Sequence, residues 1–259
     1  MKSKIILVFV LLPAIAFAGT FRQIRTLELP AAGVHELSVQ CGAGSLTLRG
    51  VEGIDIIKVK AEIEYAANDK GESRLLADNR VQLNLKREYD SAVLLSDIVK
   101  QPLAEVDARI NLNIEMPARM DLKIVDGSGE IVVANISGNL KIDDDSGAIR
   151  IENITGRILI KDGSGDIEIE HVIGSIEIDD GSGEIVIQDA TGDVKIKDTS
   201  GGIEIDNIGG NVIVSDGSGS IDIYRVKKNV FIREAGSGKL EVDGVQGKVI
   251  IRDEGEGSE

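Results

Sequence analysis

Asp162-Gly163-Ser164-Gly165-Asp166-Ile167-Glu168-Ile169-Glu170-His171-Val172-Ile173-Gly174-Ser175-Ile176-Glu177-Ile178-Asp179 is one turn of a cycle that decides the fold. Asp180-Gly181-Ser182-Gly183-Glu184-Ile185 starts the same text again eighteen positions on. The Ser-Gly pair stands at Ser128, Ser146, Ser164, Ser182, Ser200 and Ser218, and a seventh, Ser237-Gly238, arrives one residue late. Halfway through the cycle a second glycine recurs at Gly138, Gly156, Gly174, Gly192 and Gly210; Lys228 takes that place once and Gly247 restores it. Self-similarity at a fixed short period marks a solenoid.

Stacked at eighteen residues, the cycles give apolar columns. One is Ile131, Ile149, Ile167, Ile185, Ile203, Ile221 and, after a one-residue insertion, Leu240; its companion runs from Val133 to Val242. The second half-cycle gives Leu140 to Val249 and Ile142 to Ile251, and a fifth column, Ile136 to Val226, sits beside the mid-cycle turn. Alternation of Ile and Val with polar residues predicts half-buried strands, and the glycines predict the turns between them. Each cycle is then one coil of two strands. Coils paired in parallel about 4.8 Å apart give a segment of roughly 30 Å for seven. A lone coil buries too little to offset its ordering, so the array folds cooperatively. Glycines every nine residues fit two sheets better than the three of a hexapeptide helix. The expected fold is all-β: a single-stranded parallel β-helix with about 18 residues per coil in the C-terminal half.

The N-terminal half is irregular. Leu37 to Val39, Ser45 to Leu48, Ile56 to Tyr65, Arg80 to Leu85, Ile110 to Met116 and Leu122 to Val125 read as strands, and Asn68 to Asp78 as a polar loop. Ser91 to Val106 has no clear assignment. Wider β coils continuing the same stack are expected here. Lys2 and Lys4, the apolar run Ile5 to Leu12, and Ala16-Phe17-Ala18 form the pattern of a secretory signal peptide cleaved before Gly19. The expected organisation is a leader over residues 1–18, an irregular β region over 19–125, regular repeats over 126–253 and an acidic flexible tail over 254–259. No later apolar stretch is long enough to span a bilayer. Export to a periplasm, a cell surface or the exterior is therefore expected.

The chain carries 29 Lys and Arg against 44 Asp and Glu, a net charge of −15. Residues 1–18 hold two lysines and no acid, so their removal leaves −17. That balance argues against nucleic acid and against anionic lipid surfaces. Trp is absent and aromatics make up 3% of the chain, which disfavours sugar clefts and aromatic hot spots. The lone Cys41 has no intrachain partner, so stability comes from packing.

Glu36-Leu37-Ser38-Val39, Gly44-Ser45-Leu46-Thr47-Leu48 and Ile57-Lys58-Val59-Lys60-Ala61 resemble the opening of the bacterial "putative adhesin" family. Asn111-Leu112-Asn113-Ile114-Glu115-Met116-Pro117 followed by Asp121-Leu122-Lys123-Ile124 resembles its strand-Pro-strand entry, and the Ser-Gly-x-Ile-x-Ile coils resemble its repeats. The resemblance covers about residues 34–253. It implies a secreted or envelope-associated β-solenoid, and brings no catalytic residues with it.

Several constellations invite a chemical reading. Asp126, Asp144, Asp162, Asp180, Asp198 and Asp216 form a column in which neighbours repel by about 0.9 kcal/mol even in water. Acceptance of turn N–H groups accounts for it; a row of weak cation sites is the sharper reading. Against a calcium roll, Ile167 stands where that motif needs a ligand Asp. The Ser128 to Ser218 column reads as turn hydroxyls, and His171 as a turn residue in the column of Asn135, Asn153, Asp189 and Asn207; His35 is the other histidine. Asp143, Lys161, Asp179, Lys197, Ser215 and Arg233 alternate in sign and read as register control. Ile213 and Phe231 neighbour each other in an outward column, with Tyr224 on the opposite strand; a partner or the C-terminal segment would cover them. No catalytic, cofactor or metal residue is assigned. The expected function is a non-enzymatic secreted or envelope scaffold or adhesin-like binding module with an unknown surface partner. The alternatives are a β-helix enzyme acting on polysaccharide and a calcium-responsive repeat protein. An enzyme would need clustered acids or bases and long loops, and only Asn68–Asp78 and Ser91–Val106 offer loops.

Overall fold

The computed structural model describes residues 15–17, 20–66, 79–99 and 108–252. The chain is all-β, and its repeats stack as parallel coils about 18 residues apart, a β-solenoid of about seven turns. It divides into two compact units, one ending at Ile131 and one starting at Val132. The expected leader and tail, apart from Ile15–Phe17, and the expected Asn68–Asp78 loop lie outside the described residues.

The first unit contains β1 (Ile15–Phe17), β2 (Thr20–Pro30), β3 (Glu36–Cys41), β4 (Leu46–Val51), β5 (Ile56–Ala66), β6 (Val81–Glu88), β7 (Ser91–Ile98), β8 (Ala108–Pro117) and β9 (Asp121–Asp126). One sheet runs β1-β2-β5-β8-β4 and the other β9-β3-β7-β6. Parallel pairing joins β4 to β8 and β3 to both β7 and β9. The pairs β2–β5, β5–β8 and β6–β7 are antiparallel, which the reading of wider coils alone does not contain. For β6–β7 the cause is local: a two-residue link, Tyr89-Asp90, permits only a hairpin. Leu37, Val39, Leu48, Ile63 and Ile114 are among the side chains buried in this unit.

In the second unit the eighteen-residue period is the strand register. One sheet is built in order from Ile131–Ile136, Ile149–Thr155, Ile167–Ile173, Ile185–Ala190, Ile203–Ile208, Ile221–Val226 and Leu240–Asp243. The other is built from Leu140–Asp144, Ile158–Asp162, Ile176–Asp180, Val194–Asp198, Val212–Asp216, Val230–Ala235 and Val249–Ile251. Ile167 pairs with Ile185 and Ile185 with Ile203; Ile160 pairs with Ile178 and Ile178 with Ile196. The apolar columns therefore stack like on like, and all five are buried from Ile131 to Ile232.

The turns explain the glycines. Gly165 has φ +145°, and a Cβ there would lie 1.9 Å from the carbonyl oxygen of Gly147 one coil below. Gly174 repeats this at mid-cycle, 1.9 Å from the oxygen of Gly156. Neither place admits a side chain. Within the strands, Asn135, Asn153, His171, Asp189, Asn207 and Arg225 all take left-handed backbone, with φ between +55° and +60°. Asn and Asp tolerate this best, which is why they predominate.

Two sequence readings change. Leu240, Val242, Val249 and Ile251 continue the inward columns, yet Val249 is 43% and Ile251 54% exposed. They belong to the last described coil, with no described strand beyond them. Arg233 does not stand opposite Ser215. Val214 pairs with Ile232, but Ser215 pairs with Glu234 and Asp216 with Ala235. The one-residue insertion is thus absorbed at Arg233 as a β-bulge inside the strand.

Candidate functional site

The Asp column is internal. Asp126, Asp144, Asp162, Asp180, Asp198 and Asp216 are all at most 4% exposed. Asp180 Oδ1 accepts the Gly181 N–H at 2.8 Å, Asp198 Oδ1 that of Ser200 at 3.1 Å, and Asp216 Oδ1 that of Ser218 at 3.0 Å. Acceptance of turn N–H groups is therefore what Asp180, Asp198 and Asp216 do. The Oδ2 atoms of Asp180, Asp198 and Asp216 have no hydrogen-bond donor. Burial raises Asp162, Asp180 and Asp198 to about 6, opposed by the turn N–H groups; a neighbouring carboxylate adds to the rise at Asp180 and Asp198. Burial also raises Asp216. The column ends there because the bulge puts Ala235 in the next place.

The other candidates are also local. Ser200 Oγ donates to the Gly181 carbonyl at 3.4 Å and Ser218 Oγ to that of Thr199 at 3.5 Å. His171 lies in the left-handed column, 3.5 Å from Asp189 and 3.9 Å from Glu170. His35 joins strands through its backbone, accepting from Asp121 N and donating to Asp90 O. Among the described residues, no three His, Cys, Asp or Glu side chains meet in a group that could hold a metal. The sign-alternating column pairs Asp143 with Lys161, Lys161 with Asp179 and Asp179 with Lys197, with an ion pair of 3.5 Å at the last step.

The outer face of the second sheet departs from this pattern at its C-terminal coils. There a groove of about 760 Å³ opens across four successive strands. Its floor is the outward column Ile213, Phe231 and Ile250, in register with one another and half-buried. Sequence reading pairs Ile213 with Phe231 and does not extend that outward column to Ile250, although its inward columns run to Val249 and Ile251 on either side. Tyr224 stands on the other sheet, beside Asp206 and Asp243, and does not line the groove.

The groove's rim is cationic. Lys195, Lys197, Arg233 and Arg252 line it against one carboxylate, Glu234. Lys195 is held by Glu177 at 2.9 Å and Lys197 by Asp179 at 3.5 Å, one coil back. Arg233 and Arg252 have no ion-pair partner among the described residues and are exposed. Glu234 Oε2 accepts the Ser215 hydroxyl at 2.9 Å, a contact that exists only because the bulge moved Glu234 into register. Bulges re-aim side chains and are over-represented beside functional sites. The first unit has a more polar groove of about 560 Å³ over Ser38, Lys86, Lys123 and Tyr89. Tyr89 is 97% exposed at φ +58° in the hairpin turn.

The Toastrack DUF4097 family matches residues 20–231, most of the chain, and the chain belongs to that family. No curated protein matches it. Among solved structures it is similar to a "putative cell adhesion protein" from Clostridium sporogenes, at 14% identity and a TM-score of 0.34, over 90% of this chain and 100% of that one. It is also similar to a "putative adhesin" from Bacteroides fragilis, at 15% identity and a TM-score of 0.32, over 88% and 96% of the two chains. No helix among the described residues is long and apolar enough to cross a membrane.

Proposed function

We propose, with membership of the Toastrack family as the premise, that this chain is a non-enzymatic, exported or envelope-associated β-solenoid serving as an adhesin-like binding scaffold. The groove over Ile213, Phe231 and Ile250 is where it meets its partner. One observation carries the reading. Elsewhere the polar side chains singled out above serve neighbouring coils or their own turns, whereas here an apolar floor and two guanidiniums with no ion-pair partner among the described residues face outward. Apolar surface rimmed by charge is the usual form of a binding site. The leader pattern at residues 1–18 supports export.

The experiment compares capture of binding partners from the envelope fraction of the source cells by the wild type, by Phe231→Ser and by Asp143→Ser. Asp143 lies on the same sheet, far from the groove. Loss of capture in Phe231→Ser alone is expected. Equal capture by all three removes the groove from the reading. Cleavage of any glycan, abolished by a substitution in 91–99, would replace the scaffold with an enzyme.

A further inference from the structure

We propose that the groove over Ile213, Phe231 and Ile250 takes a single molecule of an anionic amphiphile, a carboxylate or phosphate head on an aliphatic chain. This rests on the groove being the binding site named above and adds the chemistry of what enters it. Charge complementarity decides the sign. Over the whole chain acids outnumber bases 44 to 29, yet four cations and one carboxylate line the groove. Lys195 and Lys197 are already paired with acids one coil back. Among the described residues Arg233 and Arg252 have no such partner, and guanidinium matches carboxylate and phosphate oxygens in pairs.

The floor decides the rest of the ligand. Three apolar side chains on three adjacent strands span about 10 Å at the usual strand spacing. A volume of about 760 Å³ lies in the range of small-molecule sites. The strands of Ile213 and Phe231 are paired on both sides. Only the three-residue strand Val249–Ile251 lacks a further described neighbour, and it is too short an edge for a peptide to add as a strand. A polyanionic sugar gains little from an aliphatic floor with one aromatic ring. An anionic bilayer is flat and is repelled by a net charge of −15.

The test is calorimetric titration of the full chain with dodecyl phosphate and with dodecanoate, both below their micelle concentrations. Dodecyl maltoside, dodecyltrimethylammonium and inorganic phosphate are the controls. One ligand per chain is expected, with both anionic amphiphiles at least tenfold tighter than the neutral or cationic ones, and no saturation by inorganic phosphate. Arg233→Gln with Arg252→Gln should weaken the anionic ligands at least tenfold at an unchanged melting temperature. Phe231→Ser should weaken anionic and neutral tails together. Absence of saturable binding, equal affinity for dodecyl maltoside, or an affinity untouched by the Arg double variant overturns the proposal. So does binding to phosphatidylglycerol vesicles without binding of the monomeric amphiphile. Capture that depends on Phe231, in a protein that binds no amphiphile, leaves the site standing and rejects only this ligand class; capture indifferent to Phe231 rejects the site.

Discussion

Acid should stabilise this protein. An Asp whose folded pKa lies above its unfolded value binds more protons when folded. Its contribution is therefore greatest at low pH and is lost as pH rises through the folded value. Asp162, Asp180 and Asp198 sit at about 6 against an ordinary value near 3.9. Raising the pH from 5 to 8 costs about 1.4 kcal/mol for one such group, and about 4 kcal/mol for three acting independently. Neighbouring carboxylates share protons and spread the titration, which lowers the total to about 2–4 kcal/mol. For a chain of this size the melting temperature should fall by about 5–15 °C between pH 5 and pH 8. Thermal melting followed by circular dichroism, in 0.5 M salt to screen the exposed charges, reads this directly. The triple variant Asp162→Asn, Asp180→Asn, Asp198→Asn keeps the acceptor oxygens but not the charge. It should melt above the wild type at pH 8 and lose most of the pH dependence. A wild-type midpoint that is flat or rises from pH 5 to 8, or a triple variant with the wild-type slope, would refute the reasoning.

Three further outcomes are expected. Ile185→Asp places a charge at a fully buried position between Ile167 and Ile203 and should abolish cooperative melting; a midpoint within a few degrees of wild type would contradict the column. Gly165→Ala drives a Cβ into the Gly147 carbonyl and should cost about 2–3 kcal/mol or more in denaturant unfolding, whereas Gly53→Ala, with nothing within 4 Å, meets only the conformational cost of its φ +77°. Millimolar calcium should raise the melting temperature no more than magnesium at matched ionic strength, because each coil offers a single inward carboxylate, and those of Asp180, Asp198 and Asp216 are already bound to their turns. Calcium-selective stabilisation by ten degrees, removed by Asp162→Asn with Asp180→Asn, would mark the column as a metal ladder.

The regular coils were legible because parallel pairing at a constant offset copies sequence identity directly into spatial neighbours. Ile131, Ile149 and Ile167 are a column on paper and in space for the same reason. His171 was legible as a backbone-bending position from its companions Asn153 and Asp189, but the reading of a turn was not met: all three take left-handed backbone inside strands. The N-terminal strand β2 was not legible. Its core-facing positions include Gln23, which is buried, and Arg25, whose guanidinium donates to the Gln23 side chain, so apolar alternation is broken. The strand β7 was hidden for the opposite reason, since Val93 and Leu95 are apolar on the outward face as well. The floor pair Ile213 and Phe231 was legible, but the rim was not, because column counting puts Arg233 opposite Ser215 where Glu234 stands. Counting cannot say whether an extra residue is absorbed in a turn or in a strand, and hydrogen bonding places it at Arg233.

Site-specific photocrosslinking in intact source cells tests the central claim most directly. A benzophenone side chain is placed at Phe231, in the groove, or at Glu168, on the outer face of the other sheet. The account predicts a discrete crosslinked partner from position 231 and none from position 168. Equal crosslinking from both positions, or a partner captured from position 168 alone, would contradict it.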